Sequence, residues 1–360
     1  TGPAYFAQGG ADWAVSVTEY VDAPFVVTNP VAVRQLYEGL EPGERILWSA
    51  WVEPLAWWSI FALFMATLVL STTALFRRQW IEHEHLPFPV ARVALDLTEE
   101  AGDGAILNPL LRSPVFWIGF AVPMTLESLN ALHTVHPWVP VFSLSTTIDL
   151  QSQLVSNPVL RISFLMLGFG FFIDSRVAFS LWVFYLLSFP LEPFYKLAFF
   201  GHAEQIGRWT AGGPHGTIMA HQQMGAMLVL VGAMVWAARR HILRDRLVVG
   251  LFGLSFVVLS AMLWQTGLPP LVAVLVVAGA LVIWLALTRL MAQAGLATIV
   301  PAIIPMGLVY SSVGSSYLGL AGTVAVGLTV IWAGDLLTFL MGPAANSAFL
   351  QHRAGARGNR

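Results

Sequence analysis

Residues 51–78 read WVEPLAWWSIFALFMATLVLSTTALFRR, and this stretch decides the fold. Between Leu55 and Phe76 lie 22 consecutive residues without a charge, closed by Arg77 and Arg78. About 20 mostly apolar residues at 1.5 Å each cross the hydrocarbon core of a bilayer, so the run reads as a membrane-spanning helix, placed at 52–76.

The same criterion applied outward picks out 114–135, 159–174, 177–200, 216–238, 247–265, 269–288 and 298–320, with a more polar ninth candidate at 321–341. Asp174, Ser175 and Arg176 separate the third from the fourth, so 159–200 is either two spans joined by a tight turn or one re-entrant element. No segment alternates in polarity over some ten residues, as a spanning barrel requires. The expected fold is therefore all-α, a polytopic transmembrane helical bundle of eight to nine spans.

Composition agrees. Of 360 residues, 57% are hydrophobic and 11% charged, where a soluble domain carries roughly a quarter charged. A formal charge of −2 leaves no general basic surface for nucleic acid. The absence of cysteine excludes disulfide frameworks, thiolate metal sites and cysteine nucleophiles. The expected partners are the lipid bilayer and a small polar solute, with a homo-oligomer left open.

Three regions divide the chain. Residues 1–50 are punctuated by Gly9, Gly10, Pro24, Pro30, Pro42 and Gly43 and read as a polar extracytoplasmic segment. Residues 51–343 form the helical bundle, with a long charged loop at 77–113. Residues 344–360 form a basic tail. Lys and Arg are retained on the cytoplasmic side during insertion. With nine alternating spans and Arg77 and Arg78 inward, thirteen Lys and Arg fall inside and five outside or at the outer boundary. This puts residues 1–50 outside, and 77–113 and the C-terminus in the cytoplasm, of the cell's inner (plasma) membrane.

Ionisable groups at membrane depth are expensive and mark candidate sites. Glu127 sits mid-span in PMTLESLNALHTV, with Asn130 and Thr134 on the same face and Pro123 one turn earlier. It reads either as a hydrogen-bonded tie between helices or as a substrate or proton site, with Lys196 and His221 as first partners to consider. Glu192 and Lys196 stand at i and i+4, the favourable order for a helical ion pair. His221 and Gln222 lie about one turn inside a span. The run PMGLVYSSVGSSYLGLAG has small residues at the spacing that lets helices approach closely. Its alternative reading is a polar lining in which Tyr310, Ser311, Ser312, Ser315, Ser316 and Tyr317 line a discontinuous helix of the transporter kind. The cluster His83-Glu84-His85 has residue types that ligate metals, but without an H-E-x-x-H spacing it reads as a solvated loop. No phosphate-binding loop, dinucleotide fingerprint or G-x-S-x-G elbow is present, and neither a cofactor nor catalytic residues are expected.

The loop RRQWIEHEHLPFPVARVALDL resembles a segment of the oligopeptide transporter (OPT) superfamily, in which an acid-containing stretch leads into Leu86-Pro87-Phe88-Pro89. A closer resemblance is to an uncharacterised prokaryotic membrane family, itself distantly OPT-like. It rests on WVEPLAWW (51–58), SPVFWIGFAVP (113–123), HQQMGAM with Arg239-Arg240-His241, RLMAQAGL (289–296) and DLLTFLMGPAAN (335–346). The resemblance implies a multi-spanning transporter fold and, because members are longer, a piece of a longer transporter. It carries no substrate. The Asn-Pro-Gly motif of OPT peptide transporters is missing, since Asn29-Pro30 and Asn108-Pro109 are followed by Val31 and Leu110. The function expected is ion-gradient-driven secondary transport of a small polar solute, peptide-like or metal-chelate-like by analogy. The alternative is a membrane-embedded scaffold subunit or enzyme of a larger complex.

Overall fold

The computed structural model describes residues 2–10, 12–21, 24–97, 109–148, 159–171, 173–198, 216–296, 299–334 and 339–358. They form an all-α bundle with one small hairpin. A cap of three short helices, α1 (Gly2–Gln8), α2 (Asp12–Thr18) and α3 (Pro30–Glu38), precedes the first long helix. In α3, Pro30 opens the helix and the Asn29 side chain accepts from the N–H groups of Val31 and Ala32, satisfying donors that a helix start leaves free.

Helix α4 (Ser49–Arg78) is the span read from 52–76, and it runs on into a π-helical turn at Gln79–His83. Its buried hydroxyls need no outside partner: Thr72 donates to Leu68 O at 2.6 Å and Thr73 to Val69 O at 2.9 Å. The chain then turns through α5 (Pro89–Leu97) and α6 (Pro109–Arg112) into α7 (Pro114–Val135), whose bounds are those expected from sequence.

The expected span at 159–174 is not a membrane-length helix. Residues Val159–Arg161 form β2 and pair antiparallel with β1 (Ser145–Thr147), and only the seven residues of α8 (Phe164–Gly170) are helical. Seven residues rise only about 10 Å, too little to cross a bilayer. Asp174 then caps α9 (Ser175–Ala198), accepting from Arg176 N at 2.8 Å, as its place in a turn predicted.

Helix α10 (Gly216–Ile242) leads into α11 (Arg246–Gln265), where Asp245 is the N-cap. Helix α12 (Pro270–Ala294) is the axis of the bundle: α10, α11, α5 and the final helix α16 (Met341–Gly358) all pack on it. Small buried residues on α12, Ala273, Gly279, Ala280 and Ala286, let these neighbours approach, which is how helices associate where lipid removes any hydrophobic drive. Against α4 lie α10, α11 and α16.

Six of the described helices are long and apolar enough to cross a membrane, fewer than the eight to nine segments read from the sequence. Large apolar side chains cover their outer faces, among them Val115, Ile118, Val229 and Val257. Water would not tolerate that surface and lipid requires it. The chain is therefore a membrane-embedded, multi-pass protein.

Both arginine clusters lie at one end of the bundle. The rings of His83, after α4, and His241, in the last turn of α10, are 4.3 Å apart. Arg77-Arg78 and Arg239-Arg240 are thus on the same side, the relation that the charge distribution required.

Candidate functional site

The last transmembrane unit departs most from regular helix. The expected span 298–320 is not one helix, because Ile299–Ile304 is non-helical, α13 covers Pro305–Val313, and the chain breaks again at Gly314 before α14 (Ser315–Leu328) and α15 (Val330–Ala333). Local chemistry accounts for both interruptions. Pro301 and Pro305 have no N–H to give a helix. Gly314 sits at φ +79 and Gly319, inside α14, at φ +65, conformations that side chains resist.

Contacts fix the path of this unit. The chain leaves α12 at Gly295, a left-handed C-cap at the basic end of the bundle. At Leu308 it is already beside Gly279, 3.5 Å from where a Cβ on that glycine would stand. Gly279 is fifteen residues before Ala294, about 22 Å along α12. Much of that height is covered by non-helical backbone. Gly322 then meets Pro269, at the opposite end of the bundle, and Trp332 comes back against Trp284 and Phe61. The described residues 299–333 form a hairpin that ascends partly unwound, turns between Gly314 and Gly319, and descends as α14 and α15.

Unwound backbone at membrane depth must find partners, and α10 supplies one of them. Gln223 Oε1 accepts from Ala302 N at 3.3 Å. His221 Nε2 lies 2.7 Å from Ser311 Oγ, which also donates to Leu308 O at 3.0 Å. Since the hydroxyl has one proton and Leu308 O can only accept, the imidazole donates through Nε2. Ser312 donates to Leu308 O at 2.7 Å. Ser312, Ser315, Ser316 and Tyr317 are exposed on the chain, as is Gln222, with Tyr310 half-buried. The sequence candidates His221, Tyr310, Ser312, Ser315 and Ser316 therefore belong to one neighbourhood. Residues 295–334 contain no Asp, Glu, Lys or Arg. The groups this neighbourhood offers are hydroxyl, imidazole and amide, suited to hydrogen-bonding a polar solute rather than to neutralising a permanent charge.

The second group of candidates is not joined to it. Glu127 is exposed on α7, a helix without a buried residue, and has no hydrogen-bond or ion-pair partner among the described residues. The partnership with His221 expected from topology is not made, because His221 bonds Ser311 instead. Asn130 is a loop clamp: its amide donates to Phe142 O at 3.1 Å and accepts from Phe142 N at 2.8 Å. Thr134 donates within its own helix, to Ala131 O. Glu192 and Lys196 lie on α9, with side chains outside the described residues. Asp335, His202 and His215 also lie outside them.

A buried polar junction at the basic end escaped the sequence reading. Glu84 forms an ion pair with Arg289 of α12, both side chains largely shielded, and Gln79 donates to the same carboxylate at 2.9 Å. Around it the backbone is unusual, with the π-helical turn Gln79–His83 and non-glycine residues at positive φ, His85 (+50) and Phe88 (+44). Phe88 N donates to Ala292 O at 2.9 Å, its ring stacks on Phe349 of α16, and Pro89 closes on Gly295. The visible signal was the EHEHLPFP and RLMAQAGL stretches, which meet here; their separation in sequence hid the pairing. Among the described residues no three metal-ligating side chains converge.

At the other end, beneath the cap, a cavity of about 440 Å³ is lined by Phe25, Trp51, Trp57, Trp58, Thr266 and Trp332, among others. No charged side chain lines it among the described residues. It suits an apolar occupant.

Fold and site together define a polytopic α-helical membrane protein with an interrupted transmembrane hairpin. The chain matches a family profile described as a family of unknown function (DUF6785) over residues 1–245 and 242–360, and it belongs to that family. No curated protein and no solved structure matches it.

Proposed function

We propose that the chain acts in secondary transport of a small polar solute, with the hairpin 299–333 and the first turns of α10 as the lining of its path. One observation carries this reading: an apolar segment is non-helical over Ile299–Ile304 and breaks again at Gly314, and α10 holds it with Gln223 on the Ala302 N–H and His221 on the Ser311 hydroxyl. Irregular backbone at membrane depth is tolerated where it lines a cavity or is buried in protein, and transporters use it to expose carbonyl and N–H groups to cargo. A packing role alone would be served better by continuous helix. With no ATP-binding motif in the chain, an ion gradient is the driving force proposed. The loop leading into Leu86-Pro87-Phe88-Pro89, which resembles a segment of the OPT superfamily, supports the same reading. The orientation proposed has residues 1–50 outside, and 77–113 and the C-terminus in the cytoplasm, of the inner (plasma) membrane.

The test uses the chain's lack of cysteine. Val300→Cys and Ser312→Cys, in the hairpin, should react with a water-soluble thiol reagent in membranes. Val229→Cys and Val257→Cys, comparably exposed but on the outer faces of α10 and α11, should not. Equal inertness at all four positions would leave the hairpin without an aqueous path and end the proposal.

A further inference from the structure

At the basic end, α4 and α10 bring together cations that form no ion pair among the described residues. Arg77 and Arg78 close α4, and Arg239, Arg240 and His241 close α10. Arg244 follows in the next turn. Arg78, Arg240 and Arg244 all act electrostatically on His241, whose ring touches that of His83. His83 is held in place by donating from Nδ1 to Arg78 O at 3.2 Å. Among the described residues Arg77, Arg78, Arg240 and Arg244 make no ion pair. The nearby acids are engaged elsewhere or outnumbered: Glu84 pairs with Arg289, Asp245 caps α11, and Glu82 alone remains on the connecting turn.

The level of this cluster along the bilayer normal identifies the anion. Trp236 is 68% exposed and Arg239 lies over its ring at 4.1 Å, a pairing suited to the membrane interface. Leu243 and Leu247, each 71% exposed, alternate with Arg240, Arg244 and Arg246. Such leucines belong at the edge of the hydrocarbon, so the arginines between them stand at the height of lipid phosphates. A soluble anion would have to enter that layer; a lipid headgroup is already there.

We propose that Arg78, Arg240 and Arg244, with the His83–His241 pair among them, form a binding site for the phosphate headgroup of an anionic lipid. Guanidinium groups from two helices converge on one phosphate, and the paired imidazole rings add hydrogen-bonding nitrogens beside them. Occupation ties the end of α4 to the end of α10. The site is independent of the transport proposal, since it requires only that the chain be membrane-embedded.

The test is native mass spectrometry of the full chain released from nanodiscs of phosphatidylcholine doped with phosphatidylglycerol. Phosphatidylglycerol should be retained in preference to phosphatidylcholine. Arg240→Gln and Arg244→Gln should each reduce retention about fivefold, the effect of one interfacial cation. Arg176→Gln, at the start of α9, should leave it unchanged. Equal retention of the two lipids, or an equal loss in Arg176→Gln, would reduce the cluster to general surface charge and overturn the proposal. Inorganic phosphate binding the chain in pure phosphatidylcholine nanodiscs as tightly as the lipid would also overturn it. Helicity measured on each variant separates lost binding from lost folding, and the wild-type lipid preference decides the matter if a variant does not fold.

Discussion

His221 Nε2 and Ser311 Oγ stand 2.7 Å apart, ninety residues apart in sequence, three residues before the chain breaks at Gly314. The bond clamps the top of α13 to α10 where the hairpin abandons its helical hydrogen bonds. A helix that ends inside a membrane must be held where it ends, and this bond ties it to a neighbouring helix. Replacing His221 by Phe should lower stability by about 1 kcal/mol, the usual net worth of one intramolecular hydrogen bond. Thermal unfolding in a fixed detergent would measure it, and His221→Gln should recover part of the loss; identical melting of all three proteins would show that the clamp bears no load.

The glycine breaks can be separated from ordinary helical glycines. A Cβ at Gly314 meets nothing within 4 Å, so Gly314→Ala tests backbone conformation alone. The substitution should destabilise by about 1–2 kcal/mol, the cost of the left-handed region for an alanine. Gly225→Ala in α10, with equally open surroundings, should instead stabilise by up to about 1 kcal/mol. Shifts of the same sign in both variants would contradict the break. Gly295→Ala should be worse than either, since its Cβ would come within 2.7 Å of Pro89.

Glu84 and Arg289 are predicted to couple strongly. Breaking one side of a shielded pair leaves the other charge without its partner, so Arg289→Met and Glu84→Gln should each cost about 2 kcal/mol or more. The double variant should cost less than the sum of the two. A double-mutant cycle read by thermal unfolding tests this, and strict additivity would mean that the contact contributes nothing.

The cap has its own pH response. Glu44 accepts from the backbone N–H of Glu41 and from the Gln35 side chain, and pairs with Arg34, so its carboxyl titrates below the ordinary range. A depressed folded-state pKa means stability present above the unfolded-state pKa and lost as pH falls through the folded one. Hydrogen exchange of residues 34–47 should therefore quicken in acid, and Glu44→Gln should abolish that dependence while weakening the cap at neutral pH. An acid response that survives Glu44→Gln would assign it to another group.

Topology is open to direct labelling. In intact cells Tyr20→Cys and Ser145→Cys should react from outside and Leu243→Cys should not, given the arginines that hold its loop inward. Labelling of Leu243→Cys from outside would reverse the orientation proposed.

Hydropathy located most of the helices and hid what interrupts them. Residues 114–135 were legible to the residue because Ser113-Pro114 marks a helix start and the run that follows is apolar. Residues 159–171 and 299–304 are also apolar, yet the first stretch is partly strand and the second non-helical. Hydropathy registers the cost of side chains in lipid and is blind to where the backbone finds its hydrogen bonds. Pro301, Pro305 and Gly314 were the local hints. His221 stood out because an imidazole at depth is unusual, whereas Ser311 was one of six hydroxyl-bearing residues in its run with nothing to single it out. The Glu84–Arg289 junction was hidden more deeply: Glu84 reads as loop until Arg289, 205 residues later, is known to lie beside it.

That separation sets a schedule for biogenesis. At roughly 5–20 residues per second, a ribosome that has made Glu84 takes about 10–40 s to reach Arg289. Through that interval α4 is already in the bilayer, while Phe88 has no Ala292 carbonyl to meet and Pro89 no Gly295. The whole turn must wait, hydrated, at the membrane surface until α12 inserts. Closure of the bundle is then a late event during synthesis, triggered by one helix, and a ribosome stalled before α12 would leave an inserted but unlatched chain with Glu84 open to solvent and to proteases.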